Sequence, residues 1–228
     1  MSLKLYYHPL SSFCHKALIA LYEGGISFEP ILVDLSNEAS AAALRALWPV
    51  GKFPVLRDET RGHTVAEATV IIEYLDTHYG TKLLPAGADQ AWQARLWDRF
   101  YDLHLHTQMQ KVVGDNLRPA DAKDPFGVEQ ARTLMKTCYA MIERDMAGKT
   151  GANTWAIGNT FSLADCAAAP ALFYSHYTVP FDPSHGHLRA YRERLLARPS
   201  YVRALKEAEP YFKYFPMDAK PSLAKETV

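Results

Sequence analysis

The chain has 228 residues; 48% are apolar, 22% are charged, and 25 Lys and Arg residues balance 25 Asp and Glu residues. That length fits one large domain or two small ones, and the zero formal net charge argues against nucleic-acid binding through bulk charge. No apolar run reaches the roughly 18 residues of a membrane span, and the first residues lack the apolar stretch of a secretory signal. We therefore expect a cytoplasmic protein without membrane contact.

Strand and helix signals alternate over residues 1–80. Short apolar or aromatic runs predict strands, and apolar residues at helical spacing predict helices, two of which stop at glycine. In chain order these are a strand at 3–7, a helix at 11–23, a strand at 28–33, a helix at 39–47, strands at 53–56 and 64–65, and a helix at 70–79. The βαβαββα order predicts a small α/β domain.

Long helical periodicities replace the strand signals from about residue 89, after a linker at 81–88 that contains Gly and Pro. The predicted helices of this second half are 91–113, 128–147, 163–177, 188–197 and 201–208. The third of these is the most apolar and should be central. We predict an all-helical domain over residues 89–215 and a polar, loose tail over residues 216–228.

The turn between the first strand and the first helix places Ser11, Ser12 and Cys14 at a helix N-terminus. Free backbone N–H groups and a partial positive charge at such a terminus stabilise an anion, and a thiolate is one such anion. A hydroxyl beside it can donate a hydrogen bond to the sulfur. The alternative interpretation is that one of the serines only caps the helix.

A proline begins the third predicted strand, within the segment Gly51 to Leu56. If the Phe53–Pro54 bond is cis, the N–H and C=O groups of Phe53 face outward. They can then pair with an extended peptide, as the edge of a sheet does. The alternative is an ordinary proline on an edge strand.

An acidic residue, Glu67, lies at the start of the helix predicted at 70–79. The N-terminus of a helix can hold a ligand carboxylate, while Glu67 can pair with an ammonium group next to it. Together they would recognise the zwitterionic end of an amino acid. The alternative is that Glu67 only complements the helix dipole.

In order and spacing, these three segments resemble the N-terminal domain of cytosolic glutathione transferases, and the resemblance spans nearly the whole chain. Ser11 to Leu21 looks like the SS-x-x-x-[RK]-x-x-I-A-L stretch of zeta-like and related bacterial members. Gly158 to Asp165 matches the family's G-x-x-x-S-x-A-D segment, which starts the central helix of the second domain. The resemblance implies a thioredoxin-like glutathione-binding domain followed by a helical bundle, assembled as a homodimer.

The resemblance also implies residue roles. Ser11 matches the serine that activates the glutathione thiol for attack on a small hydrophobic electrophile, and Ser12 is the second candidate. The matched glutathione-binding positions lie around the proline and at the acidic residue: Lys52, Phe53, Pro54 and Glu67. The serine that usually follows the acid binds the γ-glutamyl carboxylate. It is Ala68 here, so the Ala68 backbone N–H or the Thr69 hydroxyl would replace it.

Alternatives to this assignment remain. Cys14 as the nucleophile would make the chain a glutathione thiol-transferase, and Ala68 favours a non-catalytic glutathione-binding stress protein. Tyr101, His104 and Gln108 share a predicted helix face that could line the second-substrate pocket, although core packing or dimer contact also explains it. We expect no metal, because an H-x-H pair on a helix points to two different faces and the three cysteines have no zinc spacing.

Overall fold

Four short strands from the first third of the chain form one mixed sheet in the order β2-β1-β3-β4. The computed structural model describes residues 2–149 and 154–223. The strands are β1 (Leu3–Tyr7), β2 (Glu29–Leu32), β3 (Val55–Asp58) and β4 (His63–Ala66). β1 pairs in parallel with β2 and antiparallel with β3, and β3 pairs antiparallel with β4. This sheet and its helices confirm the predicted α/β thioredoxin-like domain.

The helices of the first domain begin and end where local chemistry dictates. They are α1 (Ser12–Glu23), α2 (Glu38–Leu47) and α3 (Ala68–Tyr79). Asn37 caps α2 by accepting a hydrogen bond from the Ser40 N–H. Gly80 ends α3 in the left-handed conformation, with φ of 72°, which a residue without Cβ adopts readily.

The third strand starts two residues later than predicted. The Phe53–Pro54 peptide bond is cis, as the sequence analysis proposed. Pro54 has no N–H to contribute to a ladder, so pairing begins at Val55, which lies opposite Tyr6 and Ala66. Phe53 therefore lies just before the strand, outside the sheet.

The second half is helical, which confirms the predicted all-α bundle. Its elements are α4 (Ala88–Arg99), a π-helical segment (Phe100–His106), α5 (Thr107–Asn116), α6 (Pro125–Ala147), α7 (Leu163–Thr178), α8 (Gly186–Leu196), α9 (Pro199–Ala208), and short 3₁₀ turns at Ala120–Ala122 and Glu209–Tyr214. Almost all of α7 is buried, so it is the central helix that the sequence predicts. It begins with a capping box of Ser162 and Asp165, within the segment that the sequence matches to the start of the central helix.

The helix predicted at 91–113 is longer and is interrupted by the π-helical segment. Three apolar side chains of this run face outward: Trp92, Leu96 and Leu103 are each more than half exposed. The apolar side chains that reach the core lie at other positions: Ala94, Phe100, Tyr101, Leu105, Met109 and Val112. A second buried line of this run is polar and repeats every fourth residue: Asp98, Asp102 and His106. Residues four apart lie on the same face of a helix, so a polar line can run beside the apolar one, and hydrophobic periodicity alone does not reveal it.

Helix α1 lies between the two domains. Nine of its twelve residues are buried, because it packs against α3 of the first domain and against α7 and α9 of the helical domain. The end of the described chain is docked rather than loose: the Pro216 carbonyl accepts a hydrogen bond from Asn116, and Ser222 bonds to the Tyr177 hydroxyl. Residues 224–228 of the predicted tail lie outside the described residues.

Candidate functional site

Ser11 lies at the turn where β1 gives way to α1. Its hydroxyl oxygen accepts a hydrogen bond from the Cys14 N–H at 3.3 Å, so the residue does cap the helix. A hydroxyl that accepts in this way keeps its own proton. Ser11 is half-buried, so that proton can be donated to a group outside the helix. The capping interpretation and the functional one are therefore compatible.

Ser12 has a different environment. It is buried, and its hydroxyl bonds to Nε2 of His106, which reaches it from the helical domain. The His106 ring stacks on Phe13, with the ring centroids 4.2 Å apart. Burial, assisted by the nearby Lys16 charge, lowers the pKa of His106 to about 3, so the ring is neutral at pH 7.

The unpaired nitrogen of His106 indicates its tautomer. Nδ1 is buried and has no hydrogen-bond partner among the described residues. If the proton were on Nδ1, a buried N–H would be left without an acceptor, which folded proteins rarely tolerate. The proton therefore belongs on Nε2, which donates to Ser12. This bond ties the first turn of α1 to the second domain.

Cys14 lies within the first turns of α1 and is fully buried. Burial raises the pKa of its thiol to about 12, although the hydrogen bonds from Ser11 and the backbone act in the opposite direction. A thiol in this state is almost wholly protonated at neutral pH and has no access to solvent. Its position suits packing rather than nucleophilic attack.

Phe53 is half-buried beside the serine turn. Its ring stacks on His8 with a centroid distance of 6.0 Å, and His8 in turn meets the edge of Tyr211 from the end of the helical domain. Lys52, the other predicted binding residue of this segment, is exposed. The His8 ring thus connects the serine turn, Phe53 and the 3₁₀ turn at Glu209–Tyr214.

The N-terminus of α3 is open. Glu67 precedes the helix with φ of 67°, an unusual backbone conformation for a residue with a side chain, and its own side chain makes no capping hydrogen bond. Ala68 begins the helix, and Glu67 is exposed. The first backbone N–H groups of α3 therefore have no side-chain cap, which is the arrangement that holds an anion.

The hydroxyl of Thr69 is not free to take the role that the sequence suggested. It accepts a hydrogen bond from Lys16 at 2.7 Å and donates one to Asp98 at 2.9 Å. Lys16, itself 1% exposed, also forms ion pairs with Asp98 at 2.5 Å and with Asp102 at 2.7 Å. Thr69 is thereby part of a buried charge cluster between α1, α3 and α4.

Arg99 completes this cluster from the solvent side. Its guanidinium bonds to Asp98 and Asp102 at 2.8 Å and also contacts the Thr69 hydroxyl, while about half of its side chain remains exposed. Burial works against its charge, but Asp98, Asp102 and the nearby Glu67 raise the pKa of Arg99. Two cations and two carboxylates thus lie at the N-terminus of α3, beside Glu67.

The residues predicted to line the second-substrate pocket differ in their exposure to solvent. Tyr101 is fully buried and close to Asp165 in the interior, whereas His104 is exposed and Gln108 is half-buried. Other side chains of this helical run bond to the first domain, among them Asp98, Asp102 and His106. Their four-residue spacing is a signal that sequence reasoning could have used, had it looked for polar rather than apolar periodicity.

Two further properties of the described residues bear on function. Within 2–149 and 154–223, there is no group of three or more His, Cys, Asp or Glu side chains placed to hold a metal ion. In the same part of the chain, no helix is both long enough and apolar enough to cross a bilayer.

Family models, sequence relatives and solved structures all relate this chain to glutathione S-transferases. Residues 5–83 match the model "Glutathione S-transferase, N-terminal domain", and residues 125–194 match "Glutathione S-transferase, C-terminal domain". Glutathione S-transferase 3 of Zea mays is 30% identical over 89% of this chain and 93% of the maize protein. A stringent starvation protein A homolog of Haemophilus influenzae is 28% identical over 87% of each chain. A glutathione S-transferase of Methylobacillus flagellatus, solved with glutathione bound, superposes with a TM-score of 0.79 at 23% identity, covering 89% of this chain and 98% of that one.

Proposed function

The chain belongs to the cytosolic glutathione S-transferase family, and on that premise we propose that it binds glutathione and activates its thiol for attack on a small hydrophobic electrophile. Glutathione is then a co-substrate, and no metal takes part. The observation that carries the proposal is the Ser11 hydroxyl, which lies at the N-terminus of α1 with its proton available.

The physical basis is stabilisation of a thiolate. A free thiol has a pKa of roughly 8.5, so little of it is ionised at neutral pH. A hydrogen bond from Ser11, together with the partial positive charge at the start of α1, favours the ionised form. Each tenfold gain in the thiolate-to-thiol ratio needs about 1.4 kcal/mol, which one charge-assisted hydrogen bond supplies.

Glutathione would lie extended between the two helix N-termini. Its backbone would pair with the main chain of Phe53 beside Lys52, and its sulfur would lie at Ser11. Its γ-glutamyl end would reach the N-terminus of α3, where Glu67 pairs with the ammonium and the Ala68 N–H with the carboxylate. The bound glutathione of the Methylobacillus flagellatus structure supports this class of ligand.

The exposed apolar side chains of α3 and α4 support the homodimer. Val70 of α3, and Trp92, Leu96 and Leu103 of the helical run that starts with α4, are each more than half exposed. Burying such side chains in a symmetric interface is favourable. A mass near twice 25.6 kDa by sedimentation is the expected result, and a mass near 25.6 kDa contradicts it. A cytoplasmic location remains part of the proposal.

The two alternatives receive unequal support. Burial and the raised pKa of Cys14 argue against a thiol-transferase that uses it as nucleophile. Binding without turnover has one observation in its favour, the alanine at position 68. A relative named stringent starvation protein A homolog covers most of the chain and leaves that alternative open.

A glutathione-affinity column followed by a conjugation assay distinguishes these alternatives from the proposed function. We expect retention on the column and turnover with at least one member of a panel of halide, epoxide and unsaturated carbonyl electrophiles. Retention with no turnover across the panel would favour the binding protein. Turnover abolished by Cys14→Ala but kept by Ser11→Ala would favour the thiol-transferase.

A further inference from the structure

This chain lacks a side-chain donor on α3 for the α-carboxylate of a γ-glutamyl ligand. Position 68 is alanine, and the Thr69 hydroxyl is occupied by Lys16 and Asp98. The backbone N–H groups at the start of α3 remain, but they carry only partial charge. Completing the site requires a side chain with a full positive charge near these N–H groups.

Arg99 is placed to do so. A terminal nitrogen of its guanidinium contacts Thr69, the second residue of α3, so the cation lies at the open helix N-terminus. Nε and that same nitrogen, Nη2, make its hydrogen bonds to the carboxylates of Asp98 and Asp102. Among contacts with the described residues, Nη1 is not used, and the side chain is 48% exposed. Because the guanidinium is planar and is held along the edge that carries Nε and Nη2, its other edge is available to a ligand.

The charges of the cluster permit this. Lys16 pairs with both Asp98 and Asp102, so the two buried carboxylates keep a cation of their own when Arg99 also binds a ligand anion. Lys16 cannot serve in place of Arg99, because it is 1% exposed. Glu67 lies on the exposed side, where it can take the ammonium of the same amino-acid group.

We infer that Arg99, a residue of the helical domain, binds the α-carboxylate of the γ-glutamyl group in place of the missing serine hydroxyl. The inference rests on the proposed function, since it names the group that completes the same glutathione site. Glutathione then contacts both domains at its γ-glutamyl end.

The test compares two ligands and three variants by isothermal calorimetry. The ligands are glutathione and γ-aminobutyryl-cysteinyl-glycine, which lacks only the α-carboxylate. The variants are Arg99→Gln, Arg99→Lys and the matched control Arg95→Gln. Arg95 lies one turn earlier on α4, is equally exposed at 48%, and pairs with Glu73 on the surface.

We expect Arg99→Gln to weaken glutathione binding by about ten- to a hundredfold, as loss of a charged hydrogen-bond partner does. The same variant should bind the analogue as the unmodified chain does, within about twofold. Arg99→Lys should bind glutathione with intermediate affinity, because lysine keeps the charge but not the fork. Arg95→Gln should change neither affinity by more than about twofold.

The inference is overturned if Arg99→Gln binds glutathione as tightly as Arg95→Gln does, or if it weakens both ligands equally, since the second result describes a merely structural role. If Arg99→Gln does not fold, Arg99→Lys decides by the same comparison of ligands. An unmodified chain that binds neither ligand would overturn the proposed function itself. One that binds both equally would overturn only the role of the carboxylate.

Discussion

The N-termini of α1 and α3, both in the first domain, are built differently. That of α1 is capped by the Ser11 hydroxyl, and its next residue, Ser12, is tied to the buried His106. That of α3 has no side-chain cap, and fixed charges from Glu67 and Arg99 surround it. One terminus is nearly neutral and carries a single proton donor, whereas the other is open and strongly charged.

This difference suits two different tasks. A single donor against one sulfur changes the ionisation of a thiol, which is a matter of reactivity. A set of opposite fixed charges recognises a zwitterion, which is a matter of affinity. We therefore expect substitutions at the first terminus to change the rate and substitutions at the second to change binding.

The largest effect should come from Lys16, which lies on α1 and bonds to Thr69 of α3 and so connects the two termini. Lys16→Met leaves Asp98 and Asp102 with Arg99 as their cation. Loss of one partner from a buried ion pair costs about 3–5 kcal/mol in the free energy of unfolding. Urea denaturation at pH 7 measures it. Lys4→Met, which breaks the exposed pair with Glu59, is the control and should cost less than about 1 kcal/mol. Equal losses for the two variants would show that the cluster does not stabilise the fold.

The next effect should come from Ser11→Ala. Removal of the donor should lower the rate of conjugation about ten- to a hundredfold and raise the pKa of the bound glutathione thiol, with little change in glutathione affinity. Thiolate absorbance against pH reports the thiol pKa. Ser12→Ala is the matched control: it breaks the bond to His106 and should lower stability while leaving the thiol pKa unchanged. A shift of the thiol pKa in Ser12→Ala but not in Ser11→Ala would reverse the assignment of the two serines.

At the other terminus, Glu67→Gln should weaken glutathione binding by about tenfold, because the ligand ammonium loses its charged partner. The thiol pKa of the bound ligand should not move. Calorimetry and the same absorbance titration, run on one sample, give both quantities. A change in the thiol pKa without a change in affinity would break the division between the two ends of the ligand.

The smallest effect concerns pH. Burial lowers the pKa of His106 to about 3 and that of His15 to about 4, below the roughly 6.5 of an unfolded histidine. Between these values the unfolded chain binds more protons, so stability is complete above about pH 6.5 and falls as the pH falls. Each histidine contributes at most about 1.4 kcal/mol per pH unit. His106→Gln, whose amide can still donate to Ser12, should reduce the slope of unfolding free energy between pH 6 and 4.5 by one proton. An unchanged slope would show that His106 does not contribute.

Much of the fold was predictable because it follows from local rules. The alternation of short apolar runs and helical periodicities gave the βαβαββα order, and the glycine at position 80 marked the end of α3. The capping box of Ser162 and Asp165 was visible as a pattern of four residues. The apolar run at 53–56 predicts a start for β3 that is two residues too early, because Pro54 precedes the strand and cannot pair within it.

Only the part of the candidate site that belongs to the first domain was predictable from the sequence. The residues of the first domain could be named from motifs. The buried polar line of Asp98, Asp102 and His106 could not, because its partners on α1 are more than eighty residues away. No local pattern states that Thr69 will bond to Lys16 rather than to a ligand. Such pairings become visible only when the two domains are packed together.

The charge cluster between the domains also has a consequence for how such chains can be recombined. Lys16 is inherited with the first domain, whereas its two carboxylates, Asp98 and Asp102, are inherited with the second. A chimera that joins this first domain to the helical domain of a relative without those acids would bury an uncompensated cation. Whole domains can therefore be exchanged within the family only between parents that share the lysine and both carboxylates, however similar their substrates are.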